Sequence, residues 1–172
     1  MNEQLSPNEL ALIALTNEYC QAIENMADQS IYPFVKSMMQ LLSRIYIVAT
    51  DLHDMDTDYR ISGFIEQELD ENAYDQVRHS LSVLMGEEDV YLDTFVEDMR
   101  YSDTPVSATV SENLADLYQV FYNLVHAVQD LTTEDQKDYI NAAIVDFAEY
   151  WGQKLTNVMR ALHNIYYIHD LI

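Results

Sequence analysis

The sequence predicts an all-α, bundle-like domain of about five or six helices with a long C-terminal helix, and three observations carry that expectation. Glycine and proline supply only three residues each of 172, whereas 49% of the chain is hydrophobic, so core material is plentiful and turn punctuation sparse. Apolar residues recur in steps of three and four along the longest stretches. Helix-capping sequences stand at the heads of those stretches. A chain of this length suits one domain over residues 1–172, with a core that removes roughly 70% of the unfolded chain's surface from water.

Taken in order, Ser6-Pro7-Asn8-Glu9 is a capping box with proline at the first helical position. Leu12, Leu15, Tyr19, Ile23 and Met26 follow at helical spacing, which predicts a first helix from Pro7 to Ala27. Its other face holds Asn17, Gln21, Glu24, Asn25 and Asp28, so it packs on one side. Ser30 caps a second helix with the stripe Ile31, Phe34, Val35, Met38, Leu42, Ile45, Ala49 and Leu52; Pro33 falls in the first turn, where no donor partner is lost. The period fails from Asp51 to Asp70, so a loop is expected there. Asp70 caps a third helix with Tyr74, Val77, Leu81 and Leu84 inward and Gly86 at its end. A short helix from about Glu88 to Met99 and a loop from Tyr101 to Ser107 come next.

Thr109 and Glu112 form another capping box, before Leu114, Leu117, Tyr118, Phe121, Val125 and Val128 mark a helix to about Asp130. The last helix is expected to begin after Thr133, with Gln136 three residues on, and its stripe reads Ile140, Ile144, Phe147, Trp151, Leu155, Val158, Leu162 and Ile165. So long a run of threes and fours describes a helix held in a bundle by neighbours crossing at shallow angles.

Thirty Asp and Glu against eight Lys and Arg give a formal charge of −22. Such a surface repels phosphate backbones and anionic lipid, so no nucleic acid and no membrane is expected among its partners. Uncharged apolar stretches such as Ile45 to Thr50 fall far short of the ~20 residues of a membrane span. Met1 to Pro7 has no basic start or apolar middle of a secretory signal, so a cytoplasmic location is expected. Cys20 is the only cysteine; amid Asn17, Glu18 and Glu24 it lacks the cationic surroundings of a reactive thiol and reads as a small buried hydrophobe.

Motifs for chemistry fall short. Asp54-Met55-Asp56-Thr57-Asp58 resembles the first half of a calcium loop, but Tyr59 stands where the turn needs glycine and Ile65 where the bidentate glutamate belongs. None of the five histidines has a glutamate three residues before it, as a di-iron bundle requires. His53-Asp54 and His169-Asp170 lack the further ligands of a His-Asp phosphohydrolase, and Glu68 and Glu71 have no partner pair on a second helix. No metal and no cofactor is expected. His79 with Asp75, and His126 with Asp130, read as helix-surface pairs, and most of the thirteen tyrosines read as core residues with a polar tip.

Two stretches, Glu112-Asn113-Leu114-Ala115-Asp116-Leu117-Tyr118 and Trp151-Gly152 followed by Arg160-Ala161-Leu162-His163, resemble signature segments of the bacterial domain of unknown function 5063 proteins. Tyr19-Cys20, and Gly86 through Asp89, Tyr91 and Phe95 into Pro105, fit the order of elements in that family, so the resemblance covers most of the chain. The chain departs from it at Gln153-Lys154, where the resemblance implies a basic residue followed by histidine. The resemblance implies a helical fold and no particular reaction.

Asp116, Tyr118, Trp151, Arg160 and His163 are the candidate binding residues of these segments. At about 100° per residue Arg160 and His163 leave the core stripe, so Arg160 is expected to approach Asp116 or another carboxylate, with His163 nearby. Two functions follow: a protein-interaction module with an unidentified protein partner, or a small-ligand site or enzyme around Asp116, Arg160 and His163. A flat apolar patch rimmed by acids would favour the first, and a concave pocket with a buried charged group the second. The oligomeric state is not set by the sequence.

Overall fold

Ser6 caps the first helix as its sequence demands. In the computed structural model, which describes residues 4–53, 65–93, 97–101 and 103–168, the Ser6 Oγ accepts the Glu9 N–H (3.2 Å) and Glu9 accepts the Ser6 N–H (2.6 Å). Helix α1 (Pro7–Glu24) ends a turn earlier than its stripe suggests, because Met26–Asp28 tighten into a 3₁₀ turn before α2 (Ile31–His53). Asp70 caps α3 (Glu71–Met85) by accepting the Ala73 N–H at 2.8 Å. Gly86 ends it at φ 55°, a conformation that costs little only without a Cβ. The acidic motif Asp54-Asp56-Asp58 lies outside the described residues.

The segment expected to be a short helix from Glu88 to Met99 is something else. It comprises a 3₁₀ turn (Gly86–Asp89), strand β1 (Val90–Leu92) and, farther on, a second 3₁₀ turn (Glu97–Arg100). Strand β1 pairs antiparallel with β2 (Ser107–Thr109), Val90 opposite Thr109 and Leu92 opposite Ser107. Alternate residues of this segment turn inward onto helices, and all three are polar. Asp89 accepts from the Ser111 N–H and Oγ (both 2.7 Å), Asn113 donates to the Tyr91 hydroxyl, and Asn157 donates to Asp93 (2.7 Å). A three-residue strand with one inward residue, Tyr91, flanked by the hydrogen-bonded Asp89 and Asp93, leaves no apolar alternation to read.

Thr109 caps α4 (Val110–Ala127), accepting the Glu112 N–H at 3.2 Å. Helix α5 (Thr133–Asp146) starts one residue earlier than expected, with Thr132 as its cap accepting from Asp135 N. Gln136 reaches back to the Val128 carbonyl instead (3.0 Å). A π turn, Phe147–Trp151, joins α5 to α6 (Gly152–Tyr167), and the three together make the long C-terminal helix.

Helix α4 is the hub, packing against α1, α3, α5 and α6, while α2 covers α1 and α6. Leu12, Tyr19, Phe34, Met38, Leu114, Phe121, Trp151, Val158 and Leu162 fill the shared core. Each large apolar side chain so buried contributes roughly 1.5–3 kcal/mol. Tyr19, Phe121 and Trp151 stack edge to face in series (5.1 and 5.2 Å between centroids), and the Trp151 indole N–H donates to the Ala143 carbonyl. Trp151, named as a binding candidate, is 1% exposed and belongs to this core. Cys20 is buried there too; burial and the Glu24 charge push its thiol up to about 12, as an inert hydrophobe requires. The fold is all-α, with a two-stranded hairpin as its described sheet. No helix among the described residues is long and apolar enough to cross a membrane.

Candidate functional site

Helix α4 carries Asp116 and Tyr118 two residues apart, about 200° round the axis, so they serve different neighbours. Asp116 faces α3 and α6. Its Oδ1 accepts the Tyr74 hydroxyl of α3 at 2.6 Å, and its Oδ2 takes the Lys154 ammonium of α6. Both ionised side chains are largely screened from water, Asp116 at 15% exposure and Lys154 at 28%. The ammonium also sits 5.2 Å from the ring centroid of Tyr150, from the π turn. Burial by itself would lower Lys154, but the hydrogen bond to Asp116 and its charge prevail and hold the ammonium above its usual value.

The expected approach of Arg160 to Asp116 does not occur. Arg160 is exposed on α6, and Lys154 takes the place at the carboxylate. Six residues separate the two cations, which on one helix sets them about 120° apart and roughly 9 Å along the axis. Only one can face α4. His163 is exposed as well, its ring 4.8 Å from that of Tyr167. Lys154 belongs to the pair, Gln153-Lys154, at which the chain departs from the resemblance, and sequence reasoning missed its role; its i+4 relation to Tyr150 was the available signal. The histidines also part from their expected pairs: Asp75 meets Arg78 at 3.8 Å, and His126 stacks on Tyr122 with 3.7 Å between centroids.

Tyr118 serves the other side of α4. Buried itself, it donates its hydroxyl to Glu24 Oε1 of α1 at 2.9 Å. Helices α1 and α3 both pack on α4 more closely than on each other. The gap between them opens as a cleft of about 750 Å³. Ile23, Met26, Ala27 and Ile31 line it from the α1–α2 corner, and Val77, Val83 and Leu84 line it from α3. Glu24, Ser30, Gln76, His79 and Ser80 supply polar atoms. Val83 is 68% exposed, which for a branched aliphatic side chain on a helix marks an uncovered apolar surface. A smaller cleft of about 540 Å³ lies between β1 and the end of α6, lined by Val90, Tyr91, Ile165 and Ile168 among others. Among the described residues no group of three or more His, Cys, Asp and Glu is arranged to hold a metal ion.

The tyrosines give the site a pH signature. Burial raises Tyr19, Tyr74, Tyr91 and Tyr118 above the usual tyrosine value, and hydrogen bonds to Asp116 and Glu24 reinforce the shift at Tyr74 and Tyr118. The unfolded chain loses these protons near pH 10 while the native chain keeps them, so the native state binds more protons and stability falls as pH rises. Lys154 acts in the same direction: its raised value gives stability that is full below the unfolded lysine value and lost through the folded one. We expect the urea midpoint to drop as pH rises from about 10 to about 12, with the late phenolate absorbance appearing together with unfolding. A midpoint flat across that range would remove these tyrosines from the stability of the fold.

Similarity to known proteins bears on the same residues. The crystal structure of protein BF1032 from Bacteroides fragilis, a structural-genomics target, is 26% identical in sequence and superimposes with a TM-score of 0.76 over 94% of each chain. Among curated proteins none matches. The profile of the domain of unknown function family DUF5063 matches residues 3–168, nearly the whole chain, and the chain belongs to that family.

Proposed function

We propose that this protein works as a binding module that engages a partner protein through the cleft between the α1–α2 corner and α3. The observation that carries the reading is the character of that cleft: open, walled by apolar side chains, with its carboxylate, Glu24, on an exposed rim. Enclosure of most of a ligand around a few buried polar groups would instead favour a small-molecule site. The Asp116 cluster offers less to a ligand, because both carboxylate oxygens already have partners and Arg160 and His163 point elsewhere. It reads as a brace between α3, α4 and α6.

A photo-cross-linking residue at Val83 tests the proposal in the native cell. Ile47, 60% exposed on α2, provides the control; it lies sixteen residues, about 24 Å, along that helix from Ile31 at the cleft. A discrete cross-linked partner is expected from position 83 and not from position 47. The same products from both positions, or none from position 83, would sink it.

A further inference from the structure

Building on the cleft as a docking surface, we infer that its occupant is a basic amphipathic α-helix of a partner protein. Three observations converge on that chemistry. The first is the architecture of the walls. They are helices, whose backbone groups are already paired, so an extended segment would find no free sheet edge here and would leave its own N–H and C=O groups unsatisfied. A helix satisfies its backbone internally and presents only side chains.

The second observation is size. The lining residues of α3 run from Gln76 to Leu84, nine residues whose ends are about 12 Å apart along the helix. Two turns of an incoming helix span about the same distance, and apolar anchors at i, i+3, i+4 and i+7 would meet Val77, Val83 and Leu84 on one wall and Ala27 and Ile31 on the other.

The third is charge. No lysine or arginine lines the cleft, Glu24 does, and Asp28 adjoins Ala27 at the corner. Tyr118 holds Glu24 by Oε1, and among the described residues Oε2 accepts no hydrogen bond, so one oxygen is left to receive a cation. Burial of Tyr118 keeps this carboxylate oriented before anything binds. A second copy of the chain is a poor occupant, since each copy carries −22.

The test uses the full chain and an amphipathic peptide about five turns long, with Leu at the anchor positions and Lys on the flanks. Methyl resonances of Ala27, Ile31, Val77, Val83 and Leu84 should shift saturably on titration. Glu24→Gln should weaken binding about three- to tenfold, and added salt should weaken it further. A peptide of the same composition in scrambled order should leave those methyls in place, which separates groove recognition from attraction to net charge. Equal binding by a peptide with Glu in place of Lys would overturn the inference, as would equal shifts from the scrambled peptide. Were the Lys peptide inert while the Val83 cross-linker still captured a partner, the basic-helix inference would fail and the docking surface would stand. Failure of both would remove the docking reading too.

Discussion

Asp116→Ala is expected to lower the thermal midpoint by roughly 5–15 °C. The carboxylate accepts from Tyr74 and Lys154 at once, and its removal strands a hydroxyl and an ammonium that are both partly shielded from water. Leaving such donors unpaired costs about 2–4 kcal/mol, and in a chain of this length each kcal/mol moves the midpoint by roughly 2–4 °C. Lys154→Met removes the cation but keeps much of the stem's packing, so its cost is smaller. In the double variant the losses should fail to add, with a coupling of about 1–3 kcal/mol. Arg160→Ala, on an exposed position, should stay within about 0.5 kcal/mol of the parent. Thermal and urea melts of the four proteins decide the matter. Additive single effects, or a larger loss from Arg160→Ala, would mean that the brace has been misplaced.

Gly152→Ala should be nearly as damaging, for a steric reason. In the π turn the Gly152 N–H donates to the Phe147 carbonyl. A Cβ at residue 152 would stand 2.6 Å from that oxygen and 2.9 Å from the Phe147 ring. Neither neighbour yields readily, because the oxygen is backbone and the ring is packed against Trp151 and Tyr46. Overpacking of this kind costs about 2–4 kcal/mol despite the better helix propensity of alanine. Gln153→Ala, one residue along on an exposed position, should be neutral or slightly stabilising. A stabilised Gly152→Ala protein would show that the turn can relax to regular α-helix, and with it that Tyr150 and Lys154 are not held in place by the π geometry.

These two residues also show where sequence reading succeeded and where it ran out. The stripe Ile140, Ile144, Phe147, Trp151, Leu155, Val158, Leu162 and Ile165 is buried throughout, as its spacing predicts. Ser6, Asp70 and Thr109 cap the helices they precede, because a cap is a bond between residues three apart and needs nothing from the rest of the chain. The π turn inside the same stripe left no mark on it. A step of four, from Phe147 to Trp151, fits regular helix and π turn alike, and Gly152 reads as a weak helix former unless the fifth-neighbour contact is known.

What the sequence determined by itself was therefore local and periodic: the helical class, the caps and most of the inward faces, beside a net charge of −22. The tertiary structure decided every relation between distant residues. Asp116 was a legible candidate, but the choice of Lys154 over Arg160 depends on the rotation of α6 about its axis, which packing against α2 and α4 sets. Tyr118 was a legible candidate too, but its partner became visible only where α1 brings Glu24 within 2.9 Å of its hydroxyl. Strand β1 escaped notice because it is three residues long and the inward residues of its segment, Asp89, Tyr91 and Asp93, bond to partners more than 20 positions away. The cleft has no sequence signal of its own, since it is the space left where α1 and α3 pack on α4 and not on each other. Short-range hydrogen bonds and helical period are written in neighbouring residues; the angle at which one helix meets another is the joint outcome of side chains far apart in the chain.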